Sequence, residues 1–207
     1  MSVHSLRLAG FALACCAVGS SAQGAVIDFA TNPLYVYGSS QSSQGFTFTV
    51  AAPNLTGVDD RAPTRSNGDP LPGAYNGTAS LIFSDFFSGA STLTMERGGS
   101  GFLLDGFDLG LSWYVEDGDV GTVATISYDL LGGGTVSQQL ALGRSYSAVS
   151  VGQWITELRI SVDMSATGGY LSTDDFEYTL AQQVPEPTGL ALALTALAGL
   201  GWSRRRA

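Results

Sequence analysis

The sequence predicts an all-β fold, an antiparallel β-sandwich, flanked by an N-terminal signal peptide and one C-terminal hydrophobic helix. Three observations carry this expectation. Between residues 25 and 181 apolar side chains alternate over short runs instead of recurring at helical spacing, which is the pattern of strands with one buried and one wet face. Clusters of Asn, Asp, Gly and Pro punctuate those runs as turn signals. The two ends differ in kind, since each carries an unbroken apolar run beside basic residues.

Residues 1–22 read as the signal peptide. His4 and Arg7 form a basic start, eleven apolar residues follow over 8–18, and Gly19, Ser20, Ser21 and Ala22 are small enough for a cleavage site. A run of that length suits a signal peptide and is well short of the ~20 residues that a permanent span needs. A lipoprotein reading through Cys15 or Cys16 is the alternative. The domain occupies 23–183, with strands expected at 25–29, 45–50, 79–83, 91–96, 102–109, 122–130, 135–142, 155–164 and 170–180. Alternation is cleanest from Leu158 to Met164, where every second residue is apolar. Turns are expected at Asn67-Gly68, Asn76-Gly77, Gly98-Gly99, Asp117-Gly118, Gly132-Gly133-Gly134 and Gly168-Gly169, and the proline-rich stretch 51–76 is expected to be a loop. Nine short strands so separated argue for an antiparallel sandwich.

Residues 184–207 form a tail of three parts: Val184-Pro185-Glu186-Pro187, an apolar run to Trp202, and Arg204, Arg205 and Arg206. Leu190, Leu192, Leu194, Leu197 and Leu200 cover every side of a helical wheel, leaving no polar face for water. About 15 residues at ~1.5 Å each give roughly 22 Å, a thin span that places Trp202 and the arginines at the interface and the C-terminus on the cytoplasmic side. A tail of this kind is expected to anchor the chain in the membrane across which it is exported.

Composition removes whole classes of chemistry. The chain has no Lys, and its one His and both Cys (His4, Cys15, Cys16) lie in the signal segment. The domain thus has no serine–histidine or cysteine–histidine nucleophile, no Schiff-base lysine, no zinc or haem ligand set and no disulfide. Five arginines (Arg61, Arg65, Arg97, Arg144, Arg159) face 17 of the 18 acids over 23–184, a net charge of −12. Such a surface repels nucleic acid and other polyanions.

The order Pro-Glu-Pro, apolar helix and terminal arginine cluster resembles the PEP-CTERM sorting signal of exopolysaccharide-producing Gram-negative bacteria. That resemblance implies secretion machinery, transient inner-membrane insertion and an exosortase-type sorting enzyme as partners, with Val184, Pro185, Glu186, Pro187, Arg204, Arg205 and Arg206 as the recognition elements. It also implies a location that is inner-membrane-anchored at first, then the cell surface or extracellular matrix. Val26–Phe29 as Val-Ile-Asp-Phe, Gly45–Phe48 as Gly-Phe-Thr-Phe, Asn76–Thr78, Gly106–Gly110 and Asp174–Tyr178 resemble the jelly-roll, galactose-binding-like domains common in sorted proteins. Modules of that kind imply a carbohydrate ligand and a structural calcium where the first and last strands meet, here at Asp28, Asp174 and Asp175. Calcium takes six to eight oxygen ligands, which carboxylates and loop carbonyls supply.

For a sugar, Trp113 and Tyr114 beside Glu116, Asp117 and Asp119 offer an aromatic face next to carboxylates. The plainer reading is that Trp113 closes the end of the core and the acids form a solvated turn. Tyr35, Tyr37, Tyr75 and Trp154 are weaker candidates of the same type. The resulting expectation is a non-enzymatic exported protein associated with extracellular polysaccharide and binding carbohydrate. Two alternatives stand beside it: a small carboxylate-dependent polysaccharide hydrolase or lyase, since many acid pairs are available, and a matrix-packing protein without a discrete ligand.

Overall fold

The computed structural model describes residues 24–51, 54–60, 73–84, 90–112, 120–163 and 170–181. They form eleven strands: β1 (Gly24–Ile27), β2 (Ser40–Ser43), β3 (Phe46–Val50), β4 (Thr56–Asp59), β5 (Ser80–Ser84), β6 (Ala90–Glu96), β7 (Phe102–Leu111), β8 (Val123–Leu130), β9 (Thr135–Ala141), β10 (Ser147–Asp163) and β11 (Tyr170–Leu180). Every pairing between these strands is antiparallel.

The architecture turns on β10, whose 17 residues extend over roughly 55 Å at ~3.3 Å each, too long for one layer of a domain this size. Its first half pairs with β7 and its second half with β6 on one side and β8 on the other. Ile155 is the crossing point, opposite both Phe102 and Leu130. One layer therefore runs β2-β3-β6-β10-β8-β9, and the other runs β10-β7-β11-β5-β4 with β1 also on β11. A bulge between Ser150 and Gln153 bends β10, with Gly152 at a φ of 61° that a side chain rarely adopts. The sandwich is thus one hydrogen-bonded sheet folded over on itself.

The expected all-β antiparallel sandwich is found, with two corrections. The described residues contain no helix, and none is long and apolar enough to cross a membrane. The fold class with a C-terminal hydrophobic helix, the transmembrane helix and the inner-membrane-anchored location built on it are corrected accordingly. The stretch Leu190–Trp202 on which that expectation rested lies outside the described residues, as does the signal segment. The second correction concerns strand number: β2 and β4 were not expected, and the strand expected at 155–164 begins at Ser147.

Inner-facing aromatics fill the space between layers. Phe29 meets Phe48 edge-on at 5.3 Å between ring centroids, Phe46 meets Phe102 at 4.9 Å, and Phe107 stacks on Phe176 at 5.1 Å. Such pairs add about 0.5–1.5 kcal/mol each beyond their burial. Alternation on β3, β6 and β8 is regular, with Phe46, Phe48, Leu93, Met95, Ala124 and Ile126 all buried. The outer face of β11-β5-β4 departs from that pattern. Ser172, Asp174, Ser80, Ile82 and Asp59 are buried there too, yet Ile82 stands apart from the main core. A second, largely polar layer therefore lies on the outside of this sheet.

Candidate functional site

That outer layer is covered by two short segments. Residues 34–38 run beside β4, held by Tyr35 N donating to Val58 O at 2.8 Å and by Gly38 and Thr56 exchanging bonds at 3.0 and 2.8 Å. Residues 73–79 are pinned by Ala74 N donating to Leu111 O at 2.7 Å. The two segments bring Tyr35, Tyr37 and Tyr75 to the same edge. Tyr35 donates its hydroxyl to Asp60 Oδ1, Tyr37 donates to Asp59 Oδ2 at 3.3 Å, and Tyr75 donates to Asp60 O at 3.3 Å. All three residues are 38–45% exposed. A Cβ on Gly57 would overlap the Tyr37 ring, so the ring lies directly against the β4 backbone because that residue has no side chain. Tyr35 sits at a φ of 61°, a strained conformation of a type that clusters at ligand sites. Phenol hydroxyls anchored at carboxylate and carbonyl oxygens fix the orientation of rings that remain open to solvent, an arrangement suited to stacking on an apolar sugar face.

The same 73–79 segment reaches a group of acids. Asn76 Nδ2 donates to Asp174 Oδ2 at 3.0 Å and to Asp175 Oδ2 at 3.2 Å, and Thr78 Oγ1 donates to Asp174 Oδ2 at 2.8 Å. Asn76 is itself held by Thr78 N at 3.0 Å. Asp174 is fully buried and its Oδ1 has no hydrogen-bond partner. Burial raises its carboxyl to about 6, against the bonds from Thr78, the Asp175 backbone and Asn76. Burial and then the charge of Asp175 raise Asp108 as well, and Asp108 is opposite Asp174 in the β7–β11 register. Beyond Asp174 a chain of hydroxyls crosses the sheet: Tyr146 with Ser172 at 2.6 Å, Ser172 to Ser80 at 2.9 Å, Ser80 to Asp59 O at 3.5 Å. Burial pushes the Tyr146 phenol up to about 12, outweighing the bonds from Ser172 and Ser80. A cleft of about 380 Å³ opens nearby, lined by Asp105, Asp108, Asp175 and Glu177 together with Gly106 and Ser150.

Of the residues singled out in the sequence, Trp113, Tyr114, Glu116, Asp117 and Asp119 lie outside the described residues, as do Val184, Pro185, Glu186, Pro187, Arg204, Arg205 and Arg206. The calcium set does not assemble as expected. Asp174 and Asp175 converge, but on the amide nitrogen of Asn76, a donor. Asp28 follows directly on the Ile27–Phe176 pair, yet its carboxylate is exposed and accepts a bond from Ala30 N at 3.1 Å. Among the described residues no three acidic side chains are grouped to hold a metal ion. One feature fits a cation, the unpartnered Asp174 Oδ1; the donor set around it does not. Sequence reasoning missed Asp59, Asp60, Asn76 and Asp108 as site residues. The Asn76-Gly77-Thr78 motif was visible as a strand lead-in, without its reach to Asp174, a residue 98 positions away.

No family model matches the chain, and no curated protein matches it. Among solved structures, TmCBM61 in complex with β-1,4-galactotriose is similar over 67% of this chain and 90% of its own, at 13% identity and a TM-score of 0.42. An exo-β-agarase is similar over 75% of this chain and 25% of its own, at 10% identity and a TM-score of 0.43. The K1 cleaved adhesin domain of Lys-gingipain from Porphyromonas gingivalis W83 is similar over 77% of this chain and 99% of its own, at 10% identity and a TM-score of 0.40. The chain thus spans about a quarter of the agarase's length, and likenesses this distant assign it neither a family nor a ligand.

Proposed function

We propose that this chain is a non-catalytic carbohydrate-binding β-sandwich, associated with extracellular polysaccharide, whose ligand platform is Tyr35, Tyr37 and Tyr75. The observation that carries this reading is the convergence of three solvent-open tyrosines whose hydroxyls are tied to Asp59 and Asp60. Rings held in that way lose little freedom on meeting a sugar face, which lowers the cost of binding. The adjoining carboxylates accept bonds from sugar hydroxyls and repel anionic sugars. The test is calorimetric titration with neutral oligosaccharides chosen from a glycan array. Tyr35→Ala or Tyr75→Ala is expected to weaken binding about five- to thirtyfold, since a stacked aromatic is worth about 1–2 kcal/mol, while the melting temperature changes little. Binding that survives loss of both rings would remove the platform from the proposal.

A second reading is favoured by the acid-lined cleft: a carboxylate-dependent hydrolase would use two of Asp105, Asp108, Asp175 and Glu177. Release of reducing ends from the bound oligosaccharide, abolished by replacing one of these four acids with its amide, separates it from a pure binder. An exosortase-type sorting enzyme remains a proposed partner on the resemblance of residues 184–206. It predicts a native C-terminus near Pro187, readable by mass spectrometry.

A further inference from the structure

The edge strand β9 carries an inference that does not rest on the sugar-binding proposal. β9 pairs with β8 in unbroken register, from Thr135 opposite Asp129 to Ala141 opposite Val123. Among the described residues no strand lies on its other side. Two bonds fix the phase of the ladder: Leu130 N to Gly134 O at 2.9 Å, and Leu142 N to Thr122 O at 2.8 Å. An antiparallel pair alternates between bonded and non-bonded partners. Val136, Gln138 and Leu140 therefore spend their backbone groups on β8, while Thr135, Ser137, Gln139 and Ala141 turn theirs outward.

Sheet edges are ordinarily blunted by charge, proline, a bulge or a covering segment. β9, Thr-Val-Ser-Gln-Gln-Leu-Ala, has no charged residue, no proline and no bulge. β2 and β1 are only four residues long, and β4 is bridged on its free side at Leu34 and Gly38.

We infer that β9 pairs with β9 of a second copy, antiparallel about a two-fold axis through Gln138. The outward phase permits this register. Thr135 then faces Ala141 and Ser137 faces Gln139 in hydrogen-bonded pairs, and Val136 faces Leu140 in the closer non-bonded pair. The sequence is self-complementary in that arrangement, as an isologous contact requires. Val136 and Leu140 are opposite the buried Tyr128 and Ala124 of β8. Leu140 packs against the core but Val136 is 37% exposed, so the second copy's Leu140 covers the largest apolar side chain that β9 leaves exposed. Charge is compatible with the same edge. Copies with a net charge of −9 repel over most of their surface, whereas β9 itself carries no acid and Asp129, opposite Thr135 at its start, is bound by Arg159 at 2.7 and 3.0 Å. A seven-residue strand pair buries well under the ~1,600 Å² of a standard interface, so the association is weak and is best detected by trapping.

The test is disulfide trapping in the full chain with Cys15→Ser and Cys16→Ser. On the two-fold axis the Gln138 Cα atoms are about 4.5 Å apart, inside the range of about 4.4–6.8 Å for a disulfide, and the Val136 Cα atoms are on the order of 13 Å apart. Under mild oxidation Gln138→Cys is expected to form covalent dimer at least tenfold faster than Val136→Cys. Adding Gln139→Pro, which removes an outward N–H and leaves the β8 ladder intact, should return the Gln138→Cys rate to that of Val136→Cys. If Gln139→Pro unfolds the domain by circular dichroism, Val136→Lys replaces it as the edge block. Equal trapping at the two positions, or trapping that survives the edge block in a folded domain, overturns the inference.

Discussion

Asp174 lies under the loop 73–79 with an amide and a hydroxyl as donors to one oxygen and nothing bonded to the other. Burial without a paired cation favours the neutral carboxylic acid, hence a value near 6 against 3.8 when exposed. The folded state therefore holds more protons at this position than the unfolded state between pH 4 and 6. The stability contributed is complete below about pH 4, falls as pH rises through 6, and is level above. Asp129 acts in the opposite sense. Arg159 and then Thr135 lower it to about 2, so its contribution is present above pH 4 and is lost as pH falls through 2. Asp174→Asn keeps the shape and removes the charge. In EDTA it is expected to stabilise the domain at pH 7 by about 1–3 kcal/mol and to be neutral at pH 4, read as melting temperature against pH. A destabilised variant at pH 7 that calcium no longer protects would instead make Asp174 a cation ligand.

At the scale of elements, the segment 34–38 and β4 depend on one small residue. Gly57→Val would drive the Tyr37 ring off the β4 backbone, and crowding of this kind costs about 1–3 kcal/mol. The expected result is a lower melting temperature together with weaker sugar binding. Gly132→Ala, where a Cβ meets nothing within 4 Å, should leave binding unchanged. The same region marks where the sequence was hard to read. β3, β6 and β8 were legible because each alternates over one buried face, with Phe46, Phe48, Leu93, Met95 and Ile126 inward. β4 was hidden because Thr56-Gly57-Val58-Asp59 is buried on both faces and has one large apolar residue. β2, Ser40-Gln41-Ser42-Ser43, has none. The first half of β10 was lost at Gly152, which looks like a turn and is a bulge. Tyr35, Tyr37 and Tyr75 were legible as candidate aromatics but not as a group, because the Asp59 and Asp60 oxygens that gather them belong to the unseen β4 and the residue after it. The pairing of Asp174 and Asp175 with Asn76 was beyond reach for another reason: no local pattern encodes a contact across 98 residues.

At the scale of the whole molecule, charge works against the compact state. Over residues 23–184 five arginines face 17 acids, so one-to-one pairing would still leave twelve acids without an arginine. The ion cluster of Arg159 with Asp129 and Glu157 is half-exposed, with side chains 30–36% accessible, and exposed pairs contribute little. Salt therefore screens more repulsion than attraction. The Debye length shortens from roughly 10 Å at 0.1 M to about 3 Å at 1 M, below the spacing of most surface charges. The melting temperature is expected to rise by several degrees over that range of sodium chloride at pH 7. Salt also acts on apolar hydration, and that part does not depend on ionisation. At pH 4 many of the carboxylates are protonated, so the increment should shrink to a small fraction of its value at pH 7. An increment equal at the two pH values would assign the effect to hydration instead of charge. A fall in melting temperature with salt at pH 7 would mean that attractive pairs outweigh the net repulsion of the domain.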